Sequence, residues 1–130
     1  MSTELVTLAW SVVLLLLHVV LQGGLATLET GLEYNAGARD EGRKPQGVYA
    51  GRAARALTNL LETFPAFIGL ALALALVGKT GGWGATGAKM WFWARVAYLP
   101  LYVLGLPYVR TLAWLVSVSG LVAMLAALLA

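Results

Sequence analysis

Four blocks of mostly apolar residues, each close to the length that crosses a bilayer, divide this sequence and leave little room for another architecture. They cover about residues 5–28, 53–77, 88–106 and 108–129, against the roughly 20 residues a spanning helix requires. A soluble fold of this size has no means of hiding them: 60% of the chain is hydrophobic and 12% charged, whereas soluble domains carry roughly a quarter charged residues. The first block has the look of a signal peptide. However, Glu4 and no Lys or Arg precedes it, and its apolar stretch exceeds the roughly 7 to 15 residues of a secretory h-region. The expectation is an all-α integral membrane protein, a single domain over residues 1–130 built as a four-transmembrane-helix bundle.

The intervening segments are polar or rich in Gly and Pro. Residues 29–51 form the first loop, GKTGGWGATG the second, and LPYVR (106–110) a short third turn, with Pro100 a candidate kink inside the third helix. Arg39, Arg43, Lys44, Arg52 and Arg55 gather at the first loop, Lys79 and Lys89 at the second, and Arg110 at the third. The bias of basic residues toward cytoplasmic loops then puts loops one and three in the cytoplasm and both termini outside, with a bacterial inner membrane the expected location. Trp83, Trp91, Trp93 and Tyr108, near block ends, suit interfacial belts. The formal charge of +3 sits beside apolar blocks, so nucleic acid is not an expected partner; membrane lipids are. With no cysteine, disulfides, thiolate metal sites and a cysteine nucleophile are excluded, and any thiol chemistry must use a substrate's sulfur. His18, the sole histidine, has no ligand partner at helical spacing, so no metal is expected and a hydrogen bond to backbone or a neighbouring helix is. Glu29, Glu33, Asp40 and Glu41 read as solvated loop or helix-end charges. GKTGG lacks the ending of a phosphate loop.

The informative residues are the polar ones inside the blocks, since a charge at the bilayer centre costs ~2.5 to 3.5 kcal/mol on insertion scales. Arg52, Arg55, Asn59 and Glu62 are spaced 3, 4 and 3 and fall within an arc of about 80° on helix two. Trp91, Arg95, Tyr98 and Tyr102, spaced 4, 3 and 4, lie within about 60° on helix three. The two stripes are expected to face each other or a shared cavity. Glu62, roughly 14 Å into its helix at ~1.5 Å per residue, needs a cation, and Arg95 is the expected partner with Arg55 competing. Arg110 arrives at the same membrane level as Arg52 and Arg55. Three guanidiniums and two phenols there describe an anion site, because arginine binds carboxylates bidentately and keeps its charge. A ligand with two carboxylates, an ammonium for Glu62 and amides for Asn59 would satisfy the set, as a small acidic peptide does. The alternative is a set of buried ion pairs that fix helix register alone.

The run GRAARALTNLLETFPAF (51–67) closely resembles the helix-two signature of the MAPEG family, membrane-associated proteins in eicosanoid and glutathione metabolism, and ARVAYLPLYVLGLPYVR (94–110) resembles its third helix. The resemblance spans about Tyr34 to Trp114 and implies a homotrimer with glutathione sites between subunits, open to the cytoplasm. It implies glutathione as cosubstrate, bound by Arg52, Arg55, Asn59, Glu62, Arg95, Tyr98 and Tyr102, with Arg110 as the catalytic residue beside the sulfur. A cation there favours the nucleophilic thiolate. Thr63 stands where the eicosanoid synthases tend to have an aromatic, the first loop offers no match to their helix-one arginine, and the Tyr102 to Arg110 spacing is one residue longer. A bacterial-type glutathione transferase or peroxidase acting on lipophilic electrophiles is therefore expected, rather than a leukotriene or prostaglandin synthase. Two rivals are a small four-helix transporter, although that class carries its glutamate in helix one, and a non-catalytic structural member of the family.

Overall fold

The computed structural model describes residues 1–42 and 47–130; Arg43 and Lys44, two of the charges assigned to the first loop, lie outside the described residues. The chain forms α1 (Thr3–Thr30), α2 (Leu32–Ala36), α3 (Val48–Leu76), α4 (Gly82–Val103) and α5 (Pro107–Leu129). By length and composition, α1, α3 and α5 are apolar enough to cross a membrane. The fourth long helix, α4, has 22 residues, about 33 Å at the α-helical rise, but carries Lys89, Arg95 and several glycines. Both α3 and α4 touch α1 and α5, which do not touch each other. The polar stripes therefore run through the middle of the bundle.

Large apolar side chains cover its outside: Trp10, Leu16, Leu17 and Val20 on α1 and Leu112, Leu115 and Val122 on α5 are exposed. A chain in water would bury such a surface; in a bilayer it faces lipid or another chain. The core proper consists of Leu60, Phe64, Phe67, Ala71 and Leu74 of α3 against Ala88 and Trp91 of α4 and Leu121 and Met124 of α5. Trp91, expected at the membrane interface, is instead fully buried and stacks on Phe67 at a centroid distance of 4.1 Å. Its place on the polar stripe turns it inward. Trp83, Trp93 and Tyr108 are exposed.

Two boundaries differ from the sequence reading. The α3 helix begins at Val48, because Ala50, Ala53 and Ala56 form a buried edge that continues the packing face past the apolar block. At the other end of the bundle, α4 begins at Gly82, so most of the presumed Gly-rich loop is helix. Its glycines serve close approach. A Cβ on Gly120 of α5 would lie 2.5 Å from Gly87 O and 2.8 Å from Trp91 N, so α4 and α5 pack backbone to backbone, as small residues permit in membranes.

Helix ends follow known stop signals. Gly78 and Gly105, at φ of 71° and 75°, close α3 and α4 with paired hydrogen bonds, Lys79 N–H to Leu74 O and Leu106 N–H to Leu101 O, the Schellman pattern in which glycine takes the left-handed position. Pro107 then starts α5 at its first turn, where a missing N–H costs nothing. Arg110 therefore sits on a helix rather than in a turn. Pro65 and Pro100 lie inside helices at exposed positions, and α4 continues through Pro100.

Candidate functional site

The two stripes meet. From α3, Asn59 accepts a hydrogen bond of 2.8 Å from Arg95 Nη1 on α4, and Arg55 Nε donates to the Tyr102 hydroxyl at 3.3 Å. Along α4, Arg95 lies over the Tyr98 ring at 4.4 Å, and Tyr98 and Tyr102 are 5.5 Å apart between centroids. Arg110, from the first turn of α5, places its guanidinium carbon 4.5 Å from the centre of the Tyr102 ring. One connected network thus joins α3, α4 and α5. It borders an open cavity of about 260 Å³ lined by Asn59, Tyr98, Tyr102, Arg110, Thr111 and Trp114.

The expected Glu62–Arg95 ion pair does not form. Arg95 is fully buried and directed to Asn59, while Glu62 is exposed on the flank of α3, without an ion-pair or hydrogen-bond partner among the described residues. The physical reason is helical position: Asn59 faces α4, and Glu62, three residues on, is rotated by about 60° toward the outside. Arg55 is likewise exposed. Arg52 is engaged elsewhere: its Nη1 donates to Val103 O at 3.1 Å, and its guanidinium lies over Gly105, where a Cβ would come within 2.7 Å of Arg52 Cζ. There it satisfies one of the orphan carbonyls at the end of α4, the end where the helix dipole favours a cation.

Arg110 has the opposite relation to its helix. It stands at the N-terminus of α5, where Leu106 supplies no side-chain cap and free N–H groups add positive potential. Cation and helix end together make this part of the cavity favourable for an anion, carboxylate or thiolate. Thr111 and Trp114 escaped the sequence reading, although Trp114 lies one turn from Arg110, a spacing that puts the two on one face of α5.

Two further polar residues take places that the sequence does not signal. Glu4, the charge that precedes the first apolar block, is fully buried, and its Oε2 accepts from Gly81 N–H at 2.9 Å at the start of α4. His18 was expected to hold a hydrogen bond to backbone or a neighbouring helix; it is buried, and both ring nitrogens are without a hydrogen-bond partner. Among the described residues, no group of three or more His, Cys, Asp or Glu is placed to hold a metal ion.

A helical bundle with apolar flanks and an arginine- and tyrosine-lined cavity defines an integral membrane protein. The chain belongs to the MAPEG family, whose family model matches residues 7–130, and so to the membrane proteins of glutathione and eicosanoid metabolism. No curated protein and no solved structure matches the chain in the corresponding searches.

Proposed function

We propose that the protein binds glutathione and conjugates it to, or uses it to reduce, lipophilic electrophiles that enter from the bilayer. The observation that carries this reading is the pair of exposed, opposite charges, Arg55 and Glu62, on the helix that also contributes Asn59 to the cavity. Glutathione has two carboxylates, an ammonium, two amides and a thiol. Arg55 suits a carboxylate, Glu62 the ammonium and Asn59 an amide, while Arg110 and the N-terminus of α5 provide positive potential for the sulfur. Family membership supports the same ligand class. That Arg55 and Glu62 open onto the surface of a single chain supports a site completed by a neighbouring subunit in a homotrimer, with α4 as the fourth crossing and loops one and three in the cytoplasm.

Chemically, the thiol gives its proton to water, and the thiolate is held by the Arg110 guanidinium. Its electron pair forms the S–C bond as the electrophile's leaving group departs. Positive charge beside sulfur lowers a thiol pKa from about 8.5, and holding both reactants at the cavity supplies proximity. With a hydroperoxide, the thiolate attacks oxygen, the alcohol leaves, and a second glutathione completes the disulfide with release of water.

The test is equilibrium binding of glutathione to the detergent-purified protein, with thiolate absorbance as a second signal. Saturable binding is expected, weakened about 10- to 100-fold in Arg55→Ala and Glu62→Gln, the equivalent of losing one charge-assisted hydrogen bond. Arg110→Ala is expected to bind but form no thiolate at neutral pH. Absence of binding by the folded parent overturns the proposal; proton-coupled uptake of organic cations would favour a transporter, and an Arg110→Ala protein equal to the parent in every thiol assay a structural role.

A further inference from the structure

The centre of the bundle holds two buried ionisable side chains, from different helices, whose polar atoms remain largely unpartnered. His18 of α1 is 1% exposed and Arg95 of α4 is 0% exposed. Neither ring nitrogen of His18 has a hydrogen-bond partner; Arg95 uses Nη1 on Asn59 and leaves Nε and Nη2 without one. The two residues lie at one depth. Glu4 of α1 accepts from the N–H of Gly81, the residue that opens α4, so both helices run inward from a common point. His18 follows Glu4, and Arg95 follows Gly81, by the same 14 residues, about 21 Å of helix rise. The helices are in contact, and the two groups are close enough to interact electrostatically.

Their chemistry is complementary. A guanidinium offers donors alone, whereas a neutral imidazole carries one N–H and one acceptor nitrogen. No direct hydrogen bond joins them; one water has the chemistry to do so, with acceptor lone pairs for Arg95 and a proton for the unprotonated nitrogen of His18. Buried waters of this kind need two to four polar partners. Trp91 Nε1 and Thr63 Oγ1, each buried and without a hydrogen-bond partner among the described residues, lie one helical turn from Arg95 and Asn59.

We propose that His18 is a positioning residue that holds Arg95 from the α1 side through one ordered water, opposite Asn59 on α3. Arg95 is then fixed from two directions, and its guanidinium stays over Tyr98, which lines the cavity. Through this chain α1, which contributes no residue to the cavity lining, helps set its shape. The last link rests on the glutathione reading; the His18–water–Arg95 pairing does not.

The chain has a single histidine, so the protein labelled with ¹⁵N-histidine gives one imidazole spectrum that needs no assignment. The parent is expected to show a neutral ring whose unprotonated nitrogen has the shift of a hydrogen-bond acceptor, and Arg95→Lys is expected to move that signal. A free-imidazole shift in the folded parent, or a spectrum indifferent to Arg95→Lys, overturns the pairing whatever glutathione does. For the link to the site, His18→Gln, which keeps an acceptor, is compared with His18→Leu. The expectation is roughly tenfold weaker glutathione binding in the leucine variant, as for one lost hydrogen bond, with recovery in the glutamine variant. Equal binding by the two variants overturns the positioning role. A parent that shows the paired imidazole but binds no glutathione overturns only the proposed ligand.

Discussion

Replacing Gly87 by Ala adds a single methyl group at the closest approach of α4 and α5. That methyl would fall well inside van der Waals contact of Gly120 O, 2.9 Å from Met124 Cγ and 3.1 Å from Ala123 Cβ. The reverse change, Gly120→Ala, meets Gly87 O at 2.5 Å and Trp91 N at 2.8 Å. Ordinary contacts of this kind begin at 3.4 Å, so the two helices must part by roughly 1 Å, and the obstacles are backbone atoms that cannot rotate away. Overpacking of this order costs about 1 to 3 kcal/mol, while replacing a helical glycine by alanine returns at most about 1 kcal/mol of helix propensity. Each variant is thus expected to be destabilised by about 1 to 2 kcal/mol in a reversible SDS unfolding titration from mixed micelles. Gly69→Ala is the internal control, because nothing lies within 4 Å of its added methyl. It should be neutral or slightly stabilised. The double variant Gly87→Ala/Gly120→Ala should cost less than the sum of the singles, by about 1 kcal/mol, since either change alone already opens the shared gap. If Gly87→Ala matches Gly69→Ala, or if the double variant is additive, the two helices are not in backbone contact and the reasoning fails.

The remaining predictions use the same titration or the glutathione-binding assay. Asn59→Ala removes the acceptor of the Arg95 Nη1 hydrogen bond and should cost about 1.5 to 3 kcal/mol, the range for a hydrogen bond to a charged group; a loss under 1 kcal/mol would mean that Arg95 is satisfied without it. Glu4→Ala leaves Gly81 N–H without its carboxylate at the α4 N-terminus and should destabilise by about 1 to 2 kcal/mol, with Glu4→Gln between it and the parent. Gly105→Ala meets both a φ of 75° and the Arg52 guanidinium and should lose about 1 to 3 kcal/mol through backbone strain; unchanged stability would show that Arg52 does not rest on this turn.

Most of the architecture was legible because the signals were long. Four blocks of about 20 residues with polar spacings of three and four dictate helices and indicate which faces turn inward, and Arg55, Asn59, Arg95, Tyr98 and Tyr102 do come together as that spacing implies. What failed was finer. The glycines of residues 81–87 read as a loop because local propensity disfavours glycine in helices, and only the facing Gly120 reveals why helix is retained there. Glu62 and Arg95 read as a pair because their charges and depths match, yet depth says nothing about rotation around α3, and Asn59 is the residue that faces inward. The role of Glu4 is not legible in the sequence because its partner, the start of α4, is 77 positions away.

Charge is the clearest guide to which residues belong to the fold and which to a ligand. Among the described residues, five charged side chains are bound to backbone at helix ends: Arg39 at the end of α2, Glu29 at the start of α3, Glu4 at the start of α4, Arg52 at its finish, and Lys79, whose Nζ donates to Leu128 O and Ala130 O at the end of α5. Each sits at the end of the helix whose dipole it complements, so helix capping accounts for it fully. Arg95 is held by Asn59 in the interior. The charges of α3 and α5 that the backbone leaves uncommitted are Arg55, Glu62 and Arg110, and Arg110 stands at the helix end where a cation is disfavoured. Its guanidinium packs on the Tyr102 ring, and the proposed thiolate would offset its charge at that helix end. This division makes a sharp expectation for two neighbours one helical turn apart. Arg52→Ala should lower stability by about 1 to 2 kcal/mol, since it strands a carbonyl, while Arg55→Ala should leave stability within ~0.5 kcal/mol, as for an exposed surface residue, and abolish most ligand affinity. If the two arginines exchange these behaviours, the assignment of Arg55 to the ligand is wrong and α3 carries its charges for packing alone.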